Sequence, residues 1–262
     1  MPLREIAEVS AEFAPVWKQE GGFDALYAVE GEMYRQAPGR RTLRFSRGEK
    51  SYFIKIHSGV GWREILKNLL TLKLPVLGAA NEFNAIRYLD RLGLKAPRMA
   101  AYATRGLNPA TIKSFIVTDD IGDSTSLEDF CRDWSKHPPT SVSKWSLIKE
   151  VAAIARKMHE GGLNHRDFYL CHFLRSHADD HLYLIDLHRA QLRKRTPRRW
   201  LVKDIGGLYY SAMDIGLTRR DLFRFVRVYS EKPLRRALLE DADFWLDVRD
   251  RALTLYGSPP SA

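Results

Sequence analysis

An Asp that directly follows His and Arg, as in Asn164-His165-Arg166-Asp167, can accept the proton of an attacking hydroxyl during phosphoryl transfer. The tripeptide alone carries little weight; its place between a long amphipathic stretch and a short hairpin pattern gives it meaning. His165 and Arg166 are grouped with Asp167 as the catalytic set. Downstream, Asp186 follows the apolar pair Leu184-Ile185, a position from which a carboxylate holds Mg²⁺ on phosphates. His172 stands five residues beyond Asp167, where an Asn commonly supplies the second metal contact. A neutral imidazole can bind a metal or donate to a phosphate, whereas Mg²⁺ prefers oxygen. His172 therefore has two readings, a metal-site residue and a structural hydrogen-bonding His. Upstream, Lys55 lies within Tyr52-Phe53-Ile54-Lys55-Ile56, where a charge is costly unless paired. Glu82 is the expected partner, and the pair would hold the α- and β-phosphates; the alternative is a Lys snorkelling from an edge strand.

These residues need a scaffold that brings them together. Residues 23–30, 42–46 and 51–57 read as short strands, with Arg47-Gly48-Glu49-Lys50 as a turn. Residues 62–74 read as a helix with Trp62, Ile65, Leu66, Leu69 and Leu70 on one face, stopped by Pro75. That face has two readings, core packing and contact with lipid through a basic amphipathic helix. A second helix over 79–92 carries Glu82 and ends at Gly93. Residues 114–118 read as a strand, and Thr118, Asp119 and Asp120 after it are the expected adenine-binding segment. Ser126 caps a further helix, and residues 145–160 form the clearest amphipathic helix, closed by Gly161-Gly162. Strands are expected at 169–174 and 182–187, joined by a turn at 177–180. Beyond Arg199 the chain reads as helical, with Thr218 and Asp221 as a capping box. No Gly-rich phosphate loop is present; Arg35 or Arg40 would serve there.

Strands early and helices late give an α+β protein with two lobes: a small β-rich N-lobe over residues 1–120 and a larger helical C-lobe over 121–262. The composition, with 45% apolar and 28% charged residues, is that of a globular chain. A net charge of +10 favours an anionic partner without choosing among them. Cys131 and Cys171 make neither a disulfide framework nor a zinc set and read as plain buried thiols. The first twenty residues lack the pattern of a signal peptide, and no apolar run reaches the ~20 residues of a membrane span. The charge does not extend to nucleic-acid binding, since neither zinc-finger spacing nor an aromatic-rich basic strand accompanies it. The basic run Arg193-Lys194-Arg195-Thr196-Pro197-Arg198-Arg199 is either a solvated face or a grip on an anionic substrate, membrane or acidic protein.

Asn164-His165-Arg166-Asp167-Phe168-Tyr169-Leu170-Cys171-His172-Phe173-Leu174 resembles the signature of the lipopolysaccharide core heptose(I) kinase family. Gly59-Val60-Gly61-Trp62-Arg63-Glu64, Pro75-Val76-Leu77-Gly78-Ala79, Leu184-Ile185-Asp186-Leu187-His188-Arg189 and Ile215-Gly216-Leu217-Thr218-Arg219-Arg220-Asp221 fit as well. The resemblance implies a protein-kinase-like bilobal fold and ATP- and Mg²⁺-dependent phosphorylation of the first heptose of the lipopolysaccharide inner core, in the cytoplasm of a Gram-negative cell and peripherally at the inner membrane. By the family's pattern Asp167 is the base, Asp186 the metal carboxylate, and Lys55 with Glu82 the phosphate anchor. Charge adds an acidic, acyl-bearing carrier protein as a possible partner. Two other readings stand beside this one: a protein (tyrosine) kinase, which the lack of an A-P-E-like segment after Asp186 disfavours, and a non-catalytic scaffold binding ATP or lipid, which has no need of Lys55, Asp167 and Asp186 together.

Overall fold

The structure, a computed structural model, describes residues 5–37, 39–70 and 78–257. Their contacts divide them into two compact units. The first holds the residues up to Tyr88, Ala96–Gly122 and Leu187–Arg189; the second holds Leu89–Lys95, Asp123–Asp186 and the residues from Ala190 onward.

In the first unit, β1 (Glu5–Val9), α1 (Ala14–Gln19), α2 (Gly22–Tyr27), β2 (Glu32–Ala37), β3 (Arg40–Arg47), β4 (Lys50–His57), α3 (Gly61–Leu70), α4 (Ala80–Arg91, its end from Leu89 counted with the second unit), β5 (Met99–Arg105) and β6 (Lys113–Asp119) follow in order. The strands form one antiparallel sheet in the order β1-β5-β6-β4-β3-β2. One core cluster joins Phe13, Phe23 and Leu26 to Tyr52 and Ile54 of β4 and Phe115 and Val117 of β6. The strand expected over 23–30 is instead the helix α2. Phe23, Leu26 and Tyr27 sit at helical spacing; Phe23 stacks on Tyr27 and meets Phe115, so burial of that one face decides the conformation. Strand β5 escapes the alternation pattern, because the consecutive residues Ala100, Ala101, Tyr102 and Ala103 are buried on both faces.

Helix α3 buries Ile65 but leaves Trp62 and Leu66 55% and Leu70 86% exposed. Of its two readings, the outward apolar stripe excludes simple core packing for these three residues. Leu69's side chain, residues 71–74 of the expected helix, the stop at Pro75 and the Pro75-Val76-Leu77 part of the quoted motif lie outside the described residues.

In the second unit come β7 (Ser124–Ser126), α5 (Leu127–Cys131), α6 (Ser141–Glu160), β8 (Leu163–Asn164), β9 (Phe173–Ser176), β10 (Leu182–Leu184), β11 (Gln191–Leu192), α7 (Arg198–Ser211), α8 (Arg219–Ser230), α9 (Leu234–Glu240) and α10 (Ala242–Tyr256). Ser126 accepts the Asp129 N–H, Thr140 caps α6, and Thr218 with Asp221 closes the capping box of α8. The strand expected over 169–174 is only β9. Leu170–His172 is a 3₁₀ turn, because the His172 N–H closes on the Tyr169 carbonyl at 3.0 Å. Likewise the strand over 182–187 stops at Leu184: the Ile185 N–H still pairs with the His172 carbonyl at 3.0 Å, but the Ile185 carbonyl accepts from the His165 ring, and Asp186 takes a positive φ of 58°. Local hydrogen bonds thus end both strands where side chains must face a site. Cys131 is buried and Cys171 half-buried, and burial raises their thiols to about 12 and about 11, which leaves both unreactive.

Candidate active site

Gly162 starts the loop that carries Asp167. Its φ is +84°, and a Cβ there would meet the Arg193 carbonyl oxygen at 2.0 Å, so only glycine lets the chain turn from α6 into β8. His165 follows, fully buried. Its backbone N–H donates to Asp204 Oδ2 at 2.7 Å, and that of Arg166 donates to Oδ1 at 2.8 Å. One buried carboxylate on α7 therefore grips two successive amides of the loop. His159 on α6 faces the same carboxylate, with Nε2 3.3 Å from Oδ2, and its Nδ1 meets the Tyr229 hydroxyl at 2.9 Å. Asp204 was not singled out from sequence. The available signal was one carboxylate set in the run Leu201-Val202-Lys203-Asp204-Ile205-Gly206-Gly207-Leu208, where a buried charge needs a polar purpose.

Arg166 holds a φ of +75°, and together with Asp186 it supplies two of the four non-glycine positive-φ residues among those described. Strained backbone of this kind gathers at sites where side-chain aim matters. His165 Nε2–H donates to the Ile185 carbonyl at 2.9 Å, and burial holds its pKa below the ordinary histidine value. That geometry suits a group that ties the Asp167 loop to the Asp186 segment rather than one that exchanges protons. Asp167 itself is only half-buried.

His172 donates from Nδ1 to the Asp167 carbonyl at 2.6 Å, which leaves the lone pair of a neutral ring on Nε2. Nε2 lies 3.7 Å from Asp186 Oδ2, and the two side chains keep 19% and 17% exposure. One ring nitrogen of His172 is thus structural, and the other lies on the side of the Asp186 carboxylate. Among the described residues no three His, Cys, Asp or Glu side chains converge. Mg²⁺ does not require that: it keeps waters and takes one or two protein ligands beside substrate phosphates. An Asp186 carboxylate with an imidazole nitrogen 3.7 Å away is a donor set that fits such an ion.

In the first unit Lys55 Nζ donates to Glu82 Oε1 at 2.5 Å, with Glu82 4% and Lys55 17% exposed. Lys55 is in the central strand β4, between β3 and β6, so the snorkelling edge-strand alternative does not hold. Glu82 stands in the first turn of α4, where a carboxylate also suits the helix dipole. Thr118 is buried in β6. Asp119 binds Arg98 in bidentate fashion at 2.7 and 3.0 Å, and Asp120 binds Arg44 at 2.8 Å. Their backbone N–H groups donate to the Arg98 and Ser51 carbonyls, at 2.9 and 3.0 Å.

His57, opposite Arg40 in the β3–β4 register, is buried, and its Nε2 has no hydrogen-bond partner among the described residues. Burial first, then the charges of Arg40, His188 and Lys55, hold its pKa down to about 3 against 6.5. The unfolded chain therefore takes up a proton near pH 6.5 that the folded chain refuses, so stability is full above that pH and falls as pH drops toward 3. His57→Gln is expected to flatten this part of the stability curve. Urea midpoints of both proteins between pH 4 and 7.5 check it; parallel curves would remove His57 from the account.

Known proteins share both the sequence and the fold. The profile of the lipopolysaccharide kinase (Kdo/WaaP) family matches residues 24–229. The chain is similar to the lipopolysaccharide core heptose(I) kinase WaaP of Pseudomonas aeruginosa, 47% identical over 93% of both chains. It is also similar to the protein of that name from Escherichia coli K12, 46% identical over 89% of this chain and 90% of the relative. A solved structure described as WaaP in complex with acyl carrier protein superposes with a TM-score of 0.83 at 40% identity, over 96% of this chain and 99% of that one. The expected α+β, protein-kinase-like fold is therefore met.

Proposed function

The chain belongs to the lipopolysaccharide kinase (Kdo/WaaP) family, and from that premise we propose that it transfers the γ-phosphoryl group of ATP to the first heptose of the lipopolysaccharide inner core. The observation that carries this reading is near-half identity to heptose(I) kinases across nine-tenths of both chains. Residues 1–120 are assigned as the nucleotide-anchoring lobe and 121–262 as the lobe bearing the catalytic loop.

ATP with Mg²⁺, when bound, supplies an electrophilic phosphoryl group whose negative charge the metal offsets. Asp167 orients the acceptor hydroxyl and takes its proton. Lys55 holds the α- and β-phosphates, and Glu82 fixes the direction of its ammonium group. Asp186 and His172 Nε2 would hold the metal. At the adenine-binding segment of Thr118, Asp119 and Asp120, the latter two N–H groups are already spent, so the donor to the adenine edge is the next one, of Ile121. Only residues 187–197 lie between Asp186 and α7, too short a stretch to present a peptide acceptor, which favours the sugar over a protein substrate.

Among the described residues no helix is long and apolar enough to cross a membrane. Peripheral contact with the cytoplasmic face of the inner membrane is supported by exposed Trp62, Leu66 and Leu70 beside Arg63 and Lys67 on α3. An acyl carrier protein is a proposed partner. The net charge of +10 suits an acidic protein, and an apolar cavity of about 270 Å³ in the second unit, lined by Ile148, Leu208, Phe225 and Trp245, suits an acyl chain.

The test is incubation of the purified protein with Mg²⁺–ATP and lipopolysaccharide lacking core phosphate, read by product mass. A gain of one phosphate is expected, and no gain would remove the proposed acceptor. Asp186→Ala is expected to abolish the Mg²⁺-dependent part of ATP affinity in titrations with and without the metal; unchanged Mg²⁺ dependence would remove Asp186 from the metal site.

A further inference from the structure

Four cations surround one indole ring. The guanidinium carbons of Arg166, Arg193 and Arg199 lie 5.0, 5.6 and 5.2 Å from the Trp200 centroid, and the Lys203 ammonium lies at 5.6 Å. All belong to the second unit, and Arg166 is the residue immediately before Asp167. The ring's negative faces attract each cation, but a neutral indole cannot neutralise the positive charges it gathers.

For two of the four the protein supplies no counter-charge. Arg193 donates to the amide oxygens of Asn164 and Gln191, which are neutral acceptors. Among the described residues no carboxylate pairs with Arg193 or Arg199. Arg198, in the same basic run, is different, since it is paired with Asp247. The first turn of α7 holds Arg198 and Arg199 and no acidic residue, so cations stand at the positive end of a helix dipole, the reverse of the stabilising arrangement. Burial and the charge of Arg199 hold the Arg193 pKa below the usual arginine range. Trp200 adds an Nε1–H that is buried and has no acceptor among the described residues. Two uncompensated guanidinium groups beside that donor, next to the segment that carries the proposed base, are arranged for an anion that arrives from outside.

We infer that Arg166, Arg193, Arg199 and Lys203 around Trp200 bind an oxyanion of the acceptor glycolipid, a sugar carboxylate or a phosphate monoester, and so fix which hydroxyl meets Asp167. This rests on the kinase reading above. The four are binding residues; Asp167 alone would exchange a proton. The basic run seen in the sequence thus divides in two. Arg193 and Arg199 turn to the indole, while Arg198 braces α10 through Asp247.

Arg199→Gln/Lys203→Gln is the first variant, because Arg193 also bonds the loop and its removal would disturb Asn164. With intact acceptor, the KM for the glycolipid is expected to rise at least about tenfold, with the KM for ATP and kcat within about twofold; a tenfold change is the loss of one charge-assisted contact. Wild-type acceptor KM should climb between 50 and 300 mM NaCl, and the variant's should climb less steeply. Inorganic phosphate should compete with acceptor in the wild type and more weakly in the variant. Two modified acceptors separate the sources: one with its sugar carboxylates reduced to alcohols, one enzymatically dephosphorylated. The acceptor on which the variant no longer differs from wild type identifies the bound group. An acceptor KM that the variant leaves unchanged, or a variant effect equal on both modified acceptors and the intact one, would overturn the inference. So would a fall in kcat with no change in acceptor KM, which marks a structural cluster or an internal phosphate. If the wild type itself phosphorylates no glycolipid, the kinase-acceptor reading has failed, and that result is distinct from a wild type that works and a variant that matches it.

Discussion

Asp167→Ala is expected to lower kcat about 100- to 10,000-fold, the range that a positioned general base contributes, while the Kd for ATP stays within about twofold. The separation follows from placement. Asp167 is half-buried and follows two residues whose amides are clamped by Asp204, so its backbone keeps its course when the carboxylate is removed. The His172 ring bonds the Asp167 carbonyl rather than its side chain, so the group beside Asp186 is also left in place. The proposed nucleotide anchors, Lys55 with Glu82, are bonded to each other within the first unit. Steady-state kinetics and nucleotide titration on the same preparation check both halves. Equal losses in turnover and in ATP affinity would mean that Asp167 holds the nucleotide or its metal, and the base would have to be sought elsewhere.

Asp204→Ala is expected to cost the fold about 3–5 kcal/mol, because three buried donors lose an acceptor together and each orphaned donor costs about 1–3 kcal/mol. The three are the His165 and Arg166 amides and His159 Nε2. For a chain of this size the midpoint of thermal unfolding should fall by roughly 10 °C. Turnover should fall well beyond the loss of folded protein, because Arg166 keeps its +75° φ only while its amide is held, and Asp167 is the next residue. Asp204→Asn should lie between, as one oxygen still accepts while the new NH₂ faces a donor. Thermal melts and kinetics below the lowered midpoint test the pair. A folded Asp204→Ala protein with wild-type kcat would show that the loop keeps its shape without the clamp.

The order of elements was legible where periodicity was strong. Helix α6 and helix α4, the capping box at Thr218 and Asp221, and the strands β3, β4 and β6 stand where their patterns put them. Pattern failed where a short segment can satisfy two periods. Phe23 to Tyr27 contains enough large apolar side chains for a strand, and only the Phe115 surface of β6 selects the helical spacing. It failed again at Tyr169 to His172 and beyond Leu184, where a His ring and a carbonyl outcompete the ladder for backbone partners.

By itself the sequence determined which chemistries this chain carries: an Asp after His-Arg, a second Asp after a short apolar run, and a Lys inside a β-strand with a helix Glu downstream. Those are statements about residue type and spacing, and side-chain type travels with the chain. Only the tertiary structure decided what aims them. Asp204 sits 39 residues after His165 and holds its amide, and Trp200 draws cations from both sides of β11 onto one ring. Nothing local couples such positions. Their partners are selected by packing α7 against the loop that carries Asp167, where buried donors, acceptors and charges find their counterparts across the fold.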